Sequence, residues 1–138
     1  MSQANEGSLP EHLQRGRRGE QLAAQYLREK GWEIETMNFE TKYGEIDIIA
    51  RRQLEGGQGV MIAIVEVKTR SSSSAMPPEL SVTADKRRRL TRMARAYDRR
   101  HGDRRAGYRF DIITVDLSEQ SPQIRHFDAA FDASGRPY

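Results

Sequence analysis

The stretch Met61–Thr69, MIAIVEVKT, decides the fold of this protein. Its first residues are apolar on both faces, which is typical of a strand in the centre of a sheet. Because side chains alternate along a strand, Glu66 and Lys68 lie on the same face as Ile62 and Ile64. An unpaired charge is costly to bury, so this carboxylate and this ammonium need each other, a ligand or water.

Two further strands are expected before the central one, at Trp32–Phe39 and at Gly44–Ala50. The second is rich in isoleucine, a β-branched residue that strands favour. The glycines in Leu54–Gly59 predict a hairpin-like connection to the central strand. These three strands are therefore expected to pair as antiparallel neighbours.

Two helices are also predicted. The first runs from Pro10 to Lys30, with Gly31 as its stop, and the second is capped by Thr83 and ends at Gly102. Steps of about 100° per residue predict the side of each helix that packs on the sheet. The predicted packing residues are Leu13, Gly16, Glu20, Ala23, Ala24 and Leu27 in the first helix, and Leu90, Met93, Ala94 and Tyr97 in the second.

After the second helix, Tyr108–Asp116 reads as a strand and Gln123–Phe127 as a short edge strand. The strand-helix-strand passage from Met61 to Asp116 implies a parallel pair joined by a right-handed crossover. The expected fold is thus an α/β mixed sheet flanked by helices, in the order α-β-β-β-α-β with a short final strand. We expect one domain over residues 10–128, a disordered segment over 1–9 and a C-terminal tail over 129–138.

The composition limits the chemistry. The 138 residues include no cysteine, which excludes disulfides, thiolate zinc sites and a cysteine nucleophile, and the three histidines are too scattered to predict a metal site. The N-terminus has no signal-peptide pattern, and no apolar stretch approaches the ~20 residues that span a bilayer. The mean hydropathy of −0.81 agrees, so a cytoplasmic protein without a membrane partner is expected.

Acidic residues on the preceding strand suggest a metal site. Glu45 and Asp47 share one face of that strand, and a hairpin that pairs Asp47 near Glu66 would bring carboxylates together. Such oxygen ligands suit a hard divalent cation such as Mg²⁺, and a nearby lysine can position water or neutralise charge that develops on a phosphate.

The positive charge is concentrated in the second helix and the residues after it. The whole chain has a net charge of +3, yet ten Lys or Arg and only two acids occur from Lys86 to Arg105. The helical period places Arg88, Arg92, Arg95 and Arg99 opposite the apolar face, as an arginine ladder. A ladder with this spacing is able to follow a phosphate backbone, so DNA is the predicted partner.

Four ordered motifs resemble a known family. They are Gly16-Arg17-Arg18-Gly19-Glu20, Gly44-Glu45-Ile46-Asp47-Ile48-Ile49-Ala50, Val65-Glu66-Val67-Lys68-Thr69-Arg70 and Arg109-Phe110-Asp111. Together they resemble the YraN family of bacterial proteins, which is considered similar to archaeal Holliday-junction resolvases. The Asp followed by Glu-x-Lys also resembles the PD-(D/E)xK signature of restriction-endonuclease-like nucleases. Two departures are Ile46, in place of the proline of that signature, and the serine-rich run Ser71–Ala75.

The resemblance implies a role for individual residues. It makes Asp47 and Glu66 ligands of Mg²⁺ or Mn²⁺, with the backbone carbonyl of Val67 added, and it makes Lys68 the catalytic lysine. Glu20 completes the catalytic set. The implied activity is hydrolysis of phosphodiester bonds in DNA, including branched or junction DNA, by metal-activated water, and the resolvase analogy implies a homodimer. The predicted DNA-binding residues are Arg70, Lys86, Arg88, Arg92, Arg95 and Arg99.

Structural alternatives stand beside these interpretations. Taken alone, Glu66 and Lys68 are typical of an ion pair on one face of a strand. Glu20 is equally typical of a helix carboxylate that pairs with Arg17 or Arg70. Glu45 is interpreted as a solvent-facing strand residue and is left out of the catalytic set, and Arg109 and Asp111 are interpreted as a structural pair. At the level of the whole protein, the alternative is a nucleic-acid-binding module that keeps the nuclease-like fold without turnover.

Overall fold

The computed structural model describes residues 9–57, 59–70, 83–101, 106–118 and 120–131. Of the predicted disordered segment 1–9, only Leu9 lies within these ranges. The predicted serine-rich loop, Ser71–Ala75, lies outside the described ranges. The predicted tail, 129–138, is described only as far as Phe131.

Seven longer elements are described in these ranges, with a short 3₁₀ turn at Glu55–Gly57. They are α1 (Glu11–Glu29), β1 (Glu33–Thr41), β2 (Gly44–Gln53), β3 (Val60–Arg70), α2 (Ala84–His101), β4 (Ala106–Asp116) and β5 (Gln123–Phe131). The strands form one sheet in the order β1-β2-β3-β4-β5. β3 and β4 are parallel and the other pairs are antiparallel, which confirms the predicted mixed α/β sheet with Met61–Thr69 at its centre.

The helices cover opposite faces of the sheet. On one face, Leu90, Met93, Ala94 and Tyr97 of α2 pack on strand residues that include Ile62 and Ile64. On the other face, Ala23, Ala24 and Leu27 of α1 pack on residues that include Ala63 and Val65. Alternate residues of β3 therefore serve the two cores, as expected for a strand that is buried on both sides. In the part of the chain that the structure describes, no helix is long and apolar enough to cross a membrane.

Local signals account for the helix ends. Gly31 has φ 93°, and the N–H groups of Gly31 and Trp32 donate to the carbonyls of Arg28 and Leu27, at 3.0 and 2.9 Å. This is a Schellman motif, in which glycine readily adopts the left-handed conformation. At the start of α2, the Lys86 N–H donates to Thr83 Oγ1 at 3.2 Å, which confirms the predicted cap.

Two expectations are wrong in detail. Leu13, predicted to pack, is 48% exposed, because the part of α1 that contacts the sheet begins later, at the buried Gly19. The last strand extends past Phe127 to Phe131, since a register shift near Ile112 lets β5 continue to pair with the long β4. Pairing with a neighbouring strand overrides local β-propensity.

Gly19 sets how closely α1 approaches β3. A Cβ at this position would overlap Thr69 Oγ1 and would lie only 2.9 Å from the Thr69 Cβ, whereas a Cβ at Gly16 would meet nothing within 4 Å. Two glycines of one helix thus differ in their surroundings. Gly19 is required by packing, and Gly16 is not.

We expect Gly19→Ala to lower the free energy of unfolding by about 1–3 kcal/mol, because α1 or Thr69 must shift. Gly16→Ala, the matched control, should raise it by about 0.5–1 kcal/mol through helix propensity alone. Urea denaturation of both variants measures the difference, and Thr69→Ala should restore part of the loss in the Gly19 variant. Equal effects of the two substitutions would contradict the close approach.

Candidate metal centre

Asp47 lies where β2 and β3 separate. Backbone pairing between these strands ends at Ile48 and Val65. Just beyond this point, Asp47 Oδ2 accepts a hydrogen bond from the Val67 N–H at 2.8 Å. The carboxylate thus takes the place of a backbone carbonyl in the ladder and satisfies an N–H group that the separating strands would leave without a partner.

The alternation of side chains is reversed at the same point. Ile46 packs in the core under α2 and Ile48 in the core under α1, although residues two apart in a regular strand share a face. On the neighbouring strand, Asn38 has φ 54°, the left-handed conformation that asparagine tolerates better than most residues. These local irregularities let groups from both faces of the sheet meet near Asp47.

Three carboxylates converge there. Oxygen atoms of Glu20, Glu45 and Asp47 all lie within 4.8 Å of one another. Asn38 Nδ2 donates to Glu20 Oε1 and to Glu45 Oε1, each at 3.0 Å, and so orients two of the three groups. We call Glu20, Glu45, Asp47 and Glu66 the carboxylate cluster, since Glu66 also acts electrostatically on Asp47.

The cluster changes the acidity of Asp47. Burial raises the pKa of Asp47 to about 7, the Val67 N–H opposes this rise, and the charges of Glu20, Glu66 and Glu45 add to it. Without a cation, ionised Asp47 is therefore surrounded by like charge. A carboxyl whose pKa is raised by burial and by neighbouring carboxylates is a candidate for a functional site.

Glu66 and Lys68 lie on the α2 side of the cluster. Glu66 Oε1 forms an ion pair with Lys86, while the buried Glu66 Oε2 has no hydrogen-bond partner among the residues described. Burial lowers the pKa of Lys68, with contributions from Lys86 and Arg70, and Glu66 opposes the shift. Lys68 is thus an ammonium that gives up its proton more readily than an exposed lysine.

The structure brings most of the sequence-predicted catalytic residues into one region. Glu20 lies beside Asp47 and accepts a hydrogen bond from Asn38. Of the two alternative partners predicted for Glu20, Arg17 and Arg70, Arg17 forms no ion pair with it among the described residues. Glu66 and Lys68 share one face of β3, as expected from alternation, and the Val67 N–H contacts Asp47.

Sequence reasoning left Glu45 out of the catalytic set. Glu45 is exposed, as predicted for a solvent-facing residue, yet it also joins the carboxylates. Its position two residues before Asp47 on the same strand was the signal that could have included it.

The predicted DNA-binding residues divide into two groups. Lys86 is half-buried against Glu66, and Arg70 is half-buried at the end of β3 near Lys68. The other four, Arg88, Arg92, Arg95 and Arg99, are exposed on α2 and face away from its packed side.

A second buried carboxylate has very different surroundings. Asp111 is 1% exposed, and its Oδ2 lies 3.0 Å from Arg109 Nη2 and 2.7 Å from His126 Nε2. His126 Nδ1 lies 3.3 Å from the Tyr26 hydroxyl, which links β4 and β5 to α1. This arrangement fits the predicted structural role of Arg109 and Asp111, because the buried charge is compensated by its neighbours.

The fold and the site define a mixed α/β protein in which carboxylates and a lysine cluster where two central strands separate. The chain belongs to the Uncharacterised protein family UPF0102, whose match covers residues 19–115 and includes the whole carboxylate cluster and Lys68. This confirms the family-level resemblance found in the sequence.

Relatives match over most of their length. The chain is 38% identical over 122 residues to a UPF0102 protein of Anaeromyxobacter dehalogenans, covering 88% of this chain and 87% of that protein. It is 40% identical over 117 residues to a UPF0102 protein of Geobacter metallireducens, covering 85% and 91%. A UPF0102 protein of Desulfosudis oleivorans is 39% identical over 128 residues, covering 91% and 99%.

The raised pKa of Asp47 predicts a pH-dependent stability. A carboxyl whose folded-state pKa lies above its unfolded value stabilises the fold at low pH, and that stabilisation is lost as the pH rises from about 4 through about 7. We therefore expect Asp47→Asn, measured in EDTA, to melt at a higher temperature than the parent at pH 8 and to lose this advantage at pH 5. Glu40→Gln removes one exposed carboxylate from β1 and is the control. A difference in melting temperature between Asp47→Asn and the parent that does not change with pH would contradict the raised pKa of Asp47.

Proposed function

We propose that this protein is a Mg²⁺-dependent endonuclease of the restriction-endonuclease-like type, which hydrolyses phosphodiester bonds in DNA and also accepts Mn²⁺. The observation that carries this proposal is the convergence of Glu20, Glu45 and Asp47 beside Glu66 and Lys68. Oxygen ligands next to a lysine suit the hydrolysis of a phosphate ester.

The residues present fit a hard divalent cation. Asp47 has a raised pKa because it lies among negative charges, and the buried Glu66 Oε2 has no partner among the described residues. Both features are relieved by a cation. We assign Asp47, Glu66 and the carbonyl of Val67 as its ligands, with Glu20 and Glu45 contributing negative charge and further oxygens.

The chain's own groups would then serve the hydrolysis. A bound cation would neutralise charge on the phosphate and lower the pKa of a water molecule that it binds. In the reaction, the water oxygen would bond to phosphorus and release a proton to solvent, one P–O ester bond would break, and the leaving oxygen would gain a proton. Lys68 is placed to stabilise the charge that develops on the phosphate and, given its lowered pKa, to give up a proton to the leaving oxygen.

The proposed partner is DNA, with α2 as part of its binding surface. Arg88, Arg92, Arg95 and Arg99 are exposed, and Lys86 at the start of the same helix contacts Glu66. This arrangement connects an anion-binding helix to the carboxylate cluster. Preference for branched DNA and action as a homodimer belong to the proposal by analogy with resolvases. A cytoplasmic location, expected from the sequence pattern, is part of the same proposal.

Cleavage tests the catalytic residues. Asp47→Ala, Glu66→Ala and Lys68→Ala should each lower metal-dependent cleavage by at least about 10²-fold, because charge stabilisation in the transition state is lost. The substrates are labelled junction, flap, single-stranded and duplex DNA with Mg²⁺ or Mn²⁺, and Glu40→Ala is the control. If all three variants cleave DNA as fast as the parent, the catalytic site is wrongly assigned. A parent that binds DNA but never cleaves it would favour the non-catalytic binding module.

Metal binding is tested separately from cleavage. Calorimetric titration with Mg²⁺ or Mn²⁺ should detect binding with release of a proton near pH 7, because the cation favours ionised Asp47. Glu66→Gln should weaken this binding strongly and Glu20→Gln by about 10-fold or more. Titrations in buffers with different ionisation enthalpies measure how many protons are released when the metal binds. Unchanged affinity in Glu20→Gln would return Glu20 to a structural role.

A further inference from the structure

A basic groove lies between the β1–β2 hairpin and α2. It contains a cavity of about 220 Å³. The lining residues are Thr41, Lys42, Tyr43, Ala96, Arg99 and Arg100. Three of the six carry positive charge and none is acidic. We call this feature the hairpin groove.

Aromatic rings order the cations around the hairpin groove. Lys42 Nζ lies 5.2 Å and the Arg92 guanidinium 5.8 Å from the centre of the Tyr43 ring, and the Arg100 guanidinium lies 5.5 Å from that of Phe39. Cation–π contacts restrict the side chains while leaving their N–H donors available. The groove is therefore partly organised for anions before any ligand binds.

The arginine ladder of α2 is divided by its neighbours. Arg99 lines the hairpin groove and Arg92 lies over Tyr43. By contrast, Arg95 lines a separate cavity with Asp98, and Arg88 forms an ion pair with Asp85. Among the described residues, the lining of the hairpin groove thus combines arginines of α2 with a further cation, Lys42, and contains no acidic residue.

The hairpin connects this groove to the carboxylate cluster. Tyr43 and Gly44 are followed directly by Glu45, and Asp47 lies four residues after Tyr43, a span of about 13 Å along the strand. The Arg89 side chain passes Gly44, with its Nε 3.7 Å from where a Cβ would lie. Positive groups therefore continue from the groove toward the carboxylates.

We propose that the hairpin groove binds the sugar–phosphate backbone of one DNA strand and leads it to the carboxylate cluster. This inference rests on the proposed nuclease function for the identity of the polymer. The cavity is on the scale of a nucleotide, and its donors recognise phosphate rather than base edges, so single-stranded segments bind without strong sequence preference.

The test compares three double variants that each remove two exposed positive charges. Lys42→Ala/Arg99→Ala alters the groove, and Arg88→Ala/Arg95→Ala removes two arginines of α2 that do not line it. Arg28→Ala/Lys30→Ala alters the C-terminal end of α1, on the opposite face of the sheet. A short single-stranded oligonucleotide is titrated at several salt concentrations in EDTA, so that binding is measured without cleavage. Melting temperatures check that each variant folds.

The groove variant should bind at least about 10-fold more weakly at low salt, and its log-affinity against log-salt slope should fall in magnitude by about 0.7 per lost phosphate contact. The Arg28/Lys30 variant should change affinity and slope little. The Arg88/Arg95 variant removes two arginines of the proposed α2 surface and should lose clearly less affinity than the groove variant. Equal losses in all three, or a larger loss in the Arg88/Arg95 variant, would overturn the groove.

The result is distinguishable from a failure of the proposed function. A parent that cleaves DNA, with a groove variant that binds like the parent, overturns the groove and leaves the nuclease assignment standing. Selective loss of binding in the groove variant, with a parent that never cleaves, supports the groove and counts against the nuclease. A parent with no affinity for the oligonucleotide overturns the groove directly.

Discussion

The hydrogen bond from the Val67 N–H to the Asp47 carboxylate is the interaction on which the site depends. It replaces a backbone hydrogen bond where β2 and β3 separate, so the Val67 N–H keeps a partner although the two strands part. The gap between the two strands lets side chains from both faces of the sheet approach Asp47. Glu20 reaches it from α1, and Glu66 and Lys68 lie on the face that α2 covers.

Both helices contribute to this arrangement through close contacts with β3. The absence of a side chain at Gly19 lets α1 approach Thr69, which places the next residue, Glu20, beside Asp47. On the other face, the first turn of α2 supplies Lys86 to Glu66. The central strand therefore positions the chemistry as well as the core, and a shift of either helix would alter the charge balance of the cluster.

The two buried acidic sites show how differently one fold treats a carboxylate. Asp111 lies against Arg109 and His126, so its negative charge is compensated within the protein. Asp47 has a backbone N–H as its hydrogen-bond donor and further carboxylates around it, which raises its pKa. This crowding lowers stability at neutral pH, and it is the feature on which the proposed cation site rests.

The sequence by itself determined the central strand, the shared face of Glu66 and Lys68, the parallel β3–β4 pair and the packed face of α2. These features follow from alternation along a strand and the helical period, which are local rules. The tertiary structure alone decided that Lys86 turns toward Glu66, that the arginines of the ladder have different neighbours and that β5 is longer than its sequence suggests. Each of these depends on contacts between segments far apart in the chain, and the reversal at Asp47 breaks the very alternation from which sequence reasoning starts.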